Sequence, residues 1–151
     1  MDGAGIEYVN TISVQDYNTL RIAVGWPPIK EHRARIGLDH SAFVIVARCG
    51  DRAVGIARVV SDGGFVAYVA DVAVHPEFQG RGIGRAMMER VVAYVNSQLE
   101  EDFVIFLSLH AAKGKEVFYN KFGFVTLPDE TYGAGMSQWL GYENKEVNII
   151  E

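Results

Sequence analysis

Apolar residues change their spacing several times along the chain, and each change predicts a different element. After a short strand pattern at residues 6–9, apolar side chains recur every three or four positions as far as residue 24, which is typical of an amphipathic helix. Ser13 precedes this stretch and predicts an N-cap, with Asp16 three residues later in a variant of the capping box. Two prolines end the pattern, because proline cannot continue a helix. A second short helix is predicted over residues 30–37.

The middle of the chain is rich in β-branched and aromatic residues and is divided by two turns. Residues 42–48, 53–60 and 65–74 each favour a strand. A turn at residues 49–52 separates the first two strands. The sequence DGG at residues 62–64 separates the next two, since glycine accepts the positive φ of a tight turn. These three segments predict an antiparallel meander.

A glycine-rich turn and a longer helix follow the meander. Residues 83–98 carry a broad apolar stripe, as expected for a helix that lies on a sheet. Residues 103–109 are almost entirely apolar and predict a strand covered on both faces. A short helix is predicted at residues 113–121, with further strands at 124–127 and 136–140. The predicted fold is mixed α and β around a largely antiparallel sheet.

Length and composition limit the classes of protein that fit. A chain of 151 residues corresponds to a single domain over residues 1–151. Fourteen Lys and Arg against nineteen Asp and Glu give a net charge of −5, which argues against nucleic-acid binding because such proteins usually carry a basic excess. The lone Cys49 cannot form an internal disulfide and the four histidines are scattered, so we expect a reducing compartment and no metal site. The sequence shows no secretory signal and no run near the roughly 18 apolar residues of a membrane helix, so a cytoplasmic location away from membranes is expected.

The segment VAVHPEFQGRGIG at residues 72–84 carries the strongest indication of a ligand. Its glycines stand at 80, 82 and 84, between a predicted strand and a long helix. That arrangement leaves backbone N–H groups unpaired at the positive end of the helix, where they can bind a phosphate, and Arg81 and Arg85 can add charged contacts. The alternative is that the glycines only form a tight turn. The segment has neither the G-K-[ST] ending of a P-loop nor the glycine spacing of a dinucleotide-binding fold.

Two motifs resemble the Gcn5-related N-acetyltransferase (GNAT) family. QGRGIG at residues 79–84 matches the family signature Q/R-x-x-G-x-G/A, and FYNKFGF at 118–124 looks like its Y-x-K-x-G-F segment. The resemblance implies the GNAT fold, a mixed and mostly antiparallel central sheet with flanking helices. It implies that the sheet is splayed at an acetyl-CoA site between the strand that ends at Val74 and the strand that ends near Leu109. It also implies direct attack of an amine on the thioester, with no nucleophilic role for Cys49, and it allows a homodimer.

The resemblance further implies which residues hold acetyl-CoA, the expected cosubstrate. The backbone of the strand that ends at Val74 would pair with the pantetheine arm, and the glycine turn would bind the pyrophosphate. Together with the tyrosine of the second motif, the predicted cosubstrate-binding residues are Val72, Ala73, Val74, Gln79, Gly80, Arg81, Gly82, Ile83, Gly84 and Tyr119. Many family members carry an asparagine seven residues before this tyrosine. Here that position is Ala112, so the contact is lost or supplied by another residue such as His110 or Lys113.

Acetyl transfer to an amine needs a group that takes a proton and a group that gives one. An alkyl ammonium is mostly protonated at neutral pH, and the departing thiolate must be protonated. The resemblance places the Tyr119 hydroxyl by the sulfur as the acid; the alternative is an amphipathic core tyrosine. Asp71 interrupts an apolar run and is the first candidate for the base, with a salt bridge or backbone cap as the alternative. His110 is a second candidate.

Aromatic residues outside the motifs suggest a wall for the acceptor. Trp26, Tyr132 and Met136, together with Trp139, are candidates for it, although ordinary core packing is the favoured interpretation for at least two of the four. An aromatic wall suits the primary amine of a small hydrophobic molecule and can hold its cation by cation–π contact. Two other functions fit the same motifs, namely acetylation of a protein or peptide amine and acyl-CoA binding without turnover.

Overall fold

Five strands form one sheet whose order in space follows the order along the chain. The computed structural model describes residues 5–141. The strands are β1 (Ile6–Val9), β2 (Phe43–Cys49), β3 (Arg52–Ser61), β4 (Val66–Val74) and β5 (Phe106–Leu109). Strands β1 to β4 are antiparallel neighbours, and β5 runs parallel to β4. The predicted meander and the mixed, mostly antiparallel fold class are therefore confirmed.

Helices cover both faces of this sheet. They are α1 (Val14–Ala23), α2 (Glu31–Asp39), α3 (Ile83–Ser97) and α4 (Glu116–Asn120), with a single 3₁₀ turn at Pro76–Phe78. The Ser13 hydroxyl accepts a hydrogen bond of 3.0 Å from the Asp16 N–H, which confirms the predicted N-cap of α1. Within residues 5–141, no helix combines the length and apolar character needed to cross a membrane.

Two clusters of buried side chains lie on opposite faces of the sheet. On the first face, α3 contributes Met87, Met88 and Val91, which pack against inward residues of the meander such as Ile45 and Val69. On the second face, α1 and α2 pack against β2, β3 and β4, and the buried members are Val14, Tyr17, Leu20, Ala34, Val46, Ile56 and Ala73. The sheet therefore separates a face held by α3 from a face held by α1 and α2.

Strand β4 parts from β5 halfway along its length. Their pairing runs from Val66 opposite Phe106 to Val69 opposite Leu109. Residues 70–74 of β4 continue beyond the last of these pairs, with only β3 as a strand neighbour. The register with β3 also shifts between Ile56 and Arg58, next to Asp71, whose φ is +55°. A non-glycine residue in this left-handed region marks a local bulge.

Three predictions about the C-terminal third are wrong. Residues 103–105 are not part of β5, and the two faces of β5 are covered unequally. Its Leu107 and Leu109 pack into the α3-side core, whereas Phe106 is 39% exposed. Residues 124–127 and 136–140 form no strand in the described part of the chain. The Phe124 ring packs against Tyr119 instead, while Met136 is 92% exposed and has no strand beside it to cover it.

The packing of α1 predicts a difference between two neighbouring aliphatic residues. Leu20 is 1% exposed, so Leu20→Ala should lower the free energy of unfolding by about 2–5 kcal/mol through lost burial and the cavity left behind. Ile22 lies on the same helix and is 59% exposed, so Ile22→Ala should change it by about 0.5 kcal/mol or less. Urea unfolding followed by circular dichroism measures both. Equal losses would show that α1 does not pack as described.

Candidate functional site

The glycine-rich turn adopts a backbone that only glycine accepts easily. Gly80 and Gly82 have φ of +76° and +81°, and Gly82 is the N-cap of α3. A Cβ added at either position would have no protein atom within 4 Å, so the space in front of this turn is open. The first N–H groups of a helix have no partner within the helix. The turn therefore offers free donors and the positive end of a helix to a ligand.

Side chains around this turn support it and add positive charge. The Gln79 side-chain amide donates a 3.1 Å hydrogen bond to the Val74 carbonyl and so holds the turn to the end of β4. The Arg81 guanidinium stacks over the Phe78 ring at 4.8 Å, and Arg52 lies over the same ring at 5.5 Å. Arg81 thus places a cation beside the turn, where it suits a phosphate group, whereas Arg52 is paired with Glu77 at 3.4 Å.

The two sequence motifs meet in space. The closest atom to a Cβ built on Gly84 is Cζ of Phe118, at 3.4 Å, and Cγ2 of Val74 follows at 3.8 Å. The glycine therefore lets the Phe118 ring of α4 approach the first turn of α3. Phe118 packs edge-on against the next residue, Tyr119, with ring centroids 5.0 Å apart. This contact places Tyr119 beside the parting strands.

Tyr119 combines a buried ring with a hydroxyl that is available for chemistry. Its side chain is 9% exposed, and among residues 5–141 its hydroxyl has no hydrogen-bond partner. Burial raises the pKa of Tyr119 above its ordinary value, and the nearby Tyr68 raises it further. A phenol with a raised pKa stays protonated at neutral pH, which is the state that an acid requires.

The second half of β4 leads into the glycine turn, and Phe118 brings Tyr119 of α4 close to the same turn. A strand that has lost a neighbour presents unpaired backbone groups along that edge, which an extended amide-containing ligand can bind. The open turn next to it fits a pyrophosphate, because a Cβ would fill that space and here there is none. These features fit acetyl-CoA, with its pantetheine arm along β4 and its diphosphate at the turn.

Asp71, the predicted base, is held in an ion pair. Its Oδ2 accepts hydrogen bonds of 2.6 Å from the Tyr17 hydroxyl and 2.6 Å from Nε of Arg58. Its Oδ1 accepts a 3.2 Å bond from Nη1 of Arg21. The three charged side chains are only 14–18% exposed. We call Asp71, Tyr17, Arg21 and Arg58 the Asp71 cluster. The salt bridge, which was the alternative to a role of Asp71 as the base, is therefore present.

The Asp71 cluster also fixes the loop between α1 and α2. Nε of Arg21 donates 2.9 Å to the Pro27 carbonyl, and its guanidinium lies 5.3 Å from the centre of the Trp26 ring. Burial raises the pKa of Tyr17 above its ordinary value, and the hydrogen bond to Asp71 adds to this. Trp26 is thereby positioned on the α1 side of the sheet, near the bulge of β4.

Sequence analysis missed one pair of polar residues at the fork of the sheet. Tyr68 lies opposite Ser108 in the register of β4 and β5, and its hydroxyl is 3.0 Å from Nδ1 of His110, just beyond β5. Their rings pack edge to face at 5.5 Å. His110 was predicted as a candidate, but its partner was not, because the pairing of β5 with β4 cannot be derived from spacing along the chain.

A cleft of about 660 Å³ borders β5. Its wall includes His110, Tyr119 and Tyr132, and Tyr132 stacks on Phe106 at 5.5 Å. Of the other residues predicted for the acceptor wall, Trp26 lies near the bulge, whereas Met136 and Trp139 are largely exposed and do not line this cleft. A volume of this size suits a small-molecule ligand.

Two remaining expectations concern groups that would bind ions or act as nucleophiles. Cys49 ends β2 with a free thiol that packs against the α3-side core. Among residues 5–141, no three His, Cys, Asp or Glu side chains are placed together to hold a metal ion.

The ion pairs of the Asp71 cluster predict a measurable contribution to stability. Asp71→Asn keeps a side chain that tolerates the left-handed backbone but leaves two guanidinium groups without their counter-charge, so the free energy of unfolding should fall by about 1–3 kcal/mol. Glu89→Gln is the matched control, since the Arg85–Glu89 pair is exposed and its loss should cost about 0.5 kcal/mol or less. Urea unfolding at neutral pH measures both, and equal effects would contradict a structural role for the cluster.

Comparison with known proteins identifies the family. Residues 13–140 match the family model described as an acetyltransferase (GNAT) domain. The chain is 34% identical over 126 residues to the uncharacterized N-acetyltransferase ycf52 of Porphyra purpurea, a match that covers 81% of this chain and 70% of the relative. It is 37% identical over 126 residues to a chloroplastic serotonin N-acetyltransferase 2 of Oryza sativa subsp. japonica, covering 81% of this chain and 61% of that one.

A solved structure agrees with this match. The protein SA2161 from meticillin-resistant Staphylococcus aureus, described as of unknown function and a probable acetyltransferase, is 31% identical and superposes with a TM-score of 0.77 over 89% of this chain and 98% of its own. The family predicted from the two motifs is thus confirmed, and so is the enzyme class. This chain belongs to the GNAT family of N-acetyltransferases.

Proposed function

We propose that this chain transfers the acetyl group of acetyl-CoA to the primary amine of a small hydrophobic molecule by direct attack on the thioester. One observation carries the proposal. The open edge of β4 runs from the glycine turn to Tyr119, whose hydroxyl has no partner among the described residues. A single extended ligand can lie along all three, and its reactive end then meets a protonated phenol.

In this proposal, backbone groups provide most of the contacts to the cosubstrate. The edge of Val72, Ala73 and Val74 pairs with the amides of the pantetheine arm, as a neighbouring strand would. The N–H groups of residues 80–84 bind the diphosphate at the start of α3, with Arg81 as the adjacent cation. When bound, acetyl-CoA supplies a thioester that a neutral amine can attack without an acyl-enzyme.

Tyr119 supplies the proton for the departing thiolate. Its buried ring fixes the direction of the hydroxyl, and its raised pKa keeps the proton in place until the sulfur becomes basic. Asp71 is proposed to hold the bulge of β4 rather than to act as the base, because both of its oxygens already accept hydrogen bonds.

The cleft beside β5 supports a hydrophobic amine as the acceptor. Stacked rings of Phe106 and Tyr132 line one wall, and such rings favour an aralkyl group and its cation. A relative named for serotonin, itself an aralkylamine, agrees with this class of acceptor. The cytoplasmic location and the homodimer stay predictions, and the rice relative is named as chloroplastic.

Binding of the cosubstrate to the glycine turn predicts a selective loss on one substitution. Gly82→Asp places a carboxylate where the diphosphate would lie, so the Kd for coenzyme A measured by calorimetry should rise by about tenfold or more, equivalent to about 1.4 kcal/mol. Gly63→Asp is the matched control. Gly63 has a similar φ of +85° in the turn between β3 and β4, and a Cβ built on it would also meet no protein atom within 4 Å.

The two glycine variants share their backbone strain, so a difference between them reports on the ligand. Equal affinities in Gly82→Asp, Gly63→Asp and the unmodified chain would show that the turn does not bind the diphosphate. An absence of heat with the folded, unmodified chain would overturn the proposed function as a whole.

The acetyl transfer itself predicts release of free coenzyme A when a suitable amine is present. We expect turnover with phenethylamine in a thiol-release assay. Spermidine, kanamycin and a short peptide with a free N-terminus are tested separately in the same assay. Tyr119→Phe should lower kcat by about tenfold or more, since it removes the proton donor and little else. Tyr94→Phe on α3, where the ring stacks on Phe43, is the control and should leave kcat unchanged.

The same assay separates the alternatives. Turnover with the peptide alone would indicate a protein acetyltransferase, and binding of acetyl-CoA without release for any amine would indicate a sensor. A Tyr119→Phe variant as fast as the unmodified chain would remove this residue from the mechanism.

A further inference from the structure

We propose that Tyr68 and His110 form the proton-accepting pair for the acceptor amine, Tyr68 touching the amine and His110 acting through it. This inference rests on the proposed function and adds the residues that remove the proton from the incoming ammonium. Neither residue belongs to the two sequence motifs, and the pair is defined by a contact between β4 and the residue that follows β5.

The position of the pair matches this role. Tyr68 lies one residue before the last pair of β4 with β5, and His110 follows directly after β5. Their hydrogen bond of 3.0 Å therefore spans the fork at the point where the two strands begin to part. Tyr68 is also close enough to Tyr119 to affect its electrostatics, so the proton donor and the pair lie at the same opening.

The face of the sheet on which Tyr68 lies also supports this role. Ala67 and Val69 point into the α3-side core, so Tyr68 between them points to the opposite face. Asp71 contacts Tyr17 of α1 on that same face, where it is already held by two arginines. The pair thus stands where an amine would approach the fork, and its members have no ion-pair partner among the described residues.

The proton movements balance. An ammonium next to the Tyr68 hydroxyl gives one proton to its oxygen while the hydroxyl proton passes to Nδ1 of His110, which leaves a neutral amine and an imidazolium. His110 is exposed, so Nε2 can release a proton to solvent. The nitrogen forms its bond to the acetyl carbon, the carbon–sulfur bond breaks, and Tyr119 gives its proton to the sulfur. The nitrogen releases its second proton to solvent, from which the Tyr119 phenolate regains one.

The backbone at Gly135 lies beside this imidazole. A Cβ built on Gly135 would lie 3.8 Å from both Cδ2 and Nε2 of His110, so the backbone of this segment approaches the ring closely. The same segment carries Tyr132 into the wall of the cleft. The ring of His110 is therefore held between Tyr68 and the chain that lines the cleft.

The experiment compares two acceptors that differ in basicity. Phenethylamine is protonated at neutral pH, whereas the fluorines of β,β-difluorophenethylamine lower the pKa of its ammonium, so it needs less help in losing a proton. With acetyl-CoA saturating, Tyr68→Phe and His110→Gln should lower kcat for phenethylamine by about 10- to 100-fold but for the difluoro analogue by about threefold or less. The Kd for acetyl-CoA, measured by calorimetry, should be unchanged in both variants.

Two control variants complete the test. Tyr94→Phe on α3 and His40→Gln at the end of α2 carry the same chemical changes outside the proposed pair and should leave both rates unchanged. Equal losses for both amines, or rates like those of the unmodified chain, would overturn the pair as proton acceptor while leaving the proposed function intact. A weaker Kd for acetyl-CoA with unchanged kcat would assign His110 to cosubstrate binding instead. No acetylation of any amine by the unmodified chain would overturn the proposed function and the pair together.

Discussion

The parting of β4 from β5 is the constraint on which this site depends. Backbone N–H and C=O groups need partners, and residues 70–74 have lost β5 on one side. Water or an extended ligand must therefore satisfy them. The bulge at Asp71 belongs to the same feature, since its left-handed backbone is costly by about 1–3 kcal/mol unless its surroundings hold it in place. Three hydrogen bonds from Tyr17, Arg21 and Arg58 provide that support.

The Asp71 cluster connects the bulge to the rest of the second face. Arg58 reaches from β3 to the Ser41 hydroxyl at 3.1 Å, and Arg21 reaches from α1 to the carbonyl of Pro27. The loop that carries Trp26 is therefore tied to the same carboxylate as the open edge of β4. A carboxylate whose two oxygens are both occupied in this way orients its neighbours well and is poorly placed to take a proton. This explains why a second group is needed for that step.

Much of the fold, and the candidate cosubstrate site, could be predicted from the sequence because the signals are local. The N-cap at Ser13, the three meander strands and the glycine turn each depend on residues close together in the chain. The missed features depend on distant residues instead. Strands were predicted at 124–127 and 136–140 from apolar character alone, but an isolated apolar stretch does not form a strand without a neighbour to pair with. The same limit hid the contact of Gly84 with Phe118, although both motifs were recognised separately.

The bulge also explains why Tyr68 was missed while Asp71 was singled out. Side chains alternate along a regular strand, so residues 68 and 71 would point to opposite faces. One extra residue in β4 reverses the alternation after position 70 and brings both side chains to the face covered by α1. From sequence, the charged residue in an apolar run drew attention, whereas a tyrosine at a position of ordinary strand spacing did not. The bulge at Asp71 lies just past the last pair of β4 with β5. The stretch of β4 that loses β5 therefore also brings the tyrosine and the carboxylate to a shared face, where we propose that one exchanges a proton and the other holds the strand.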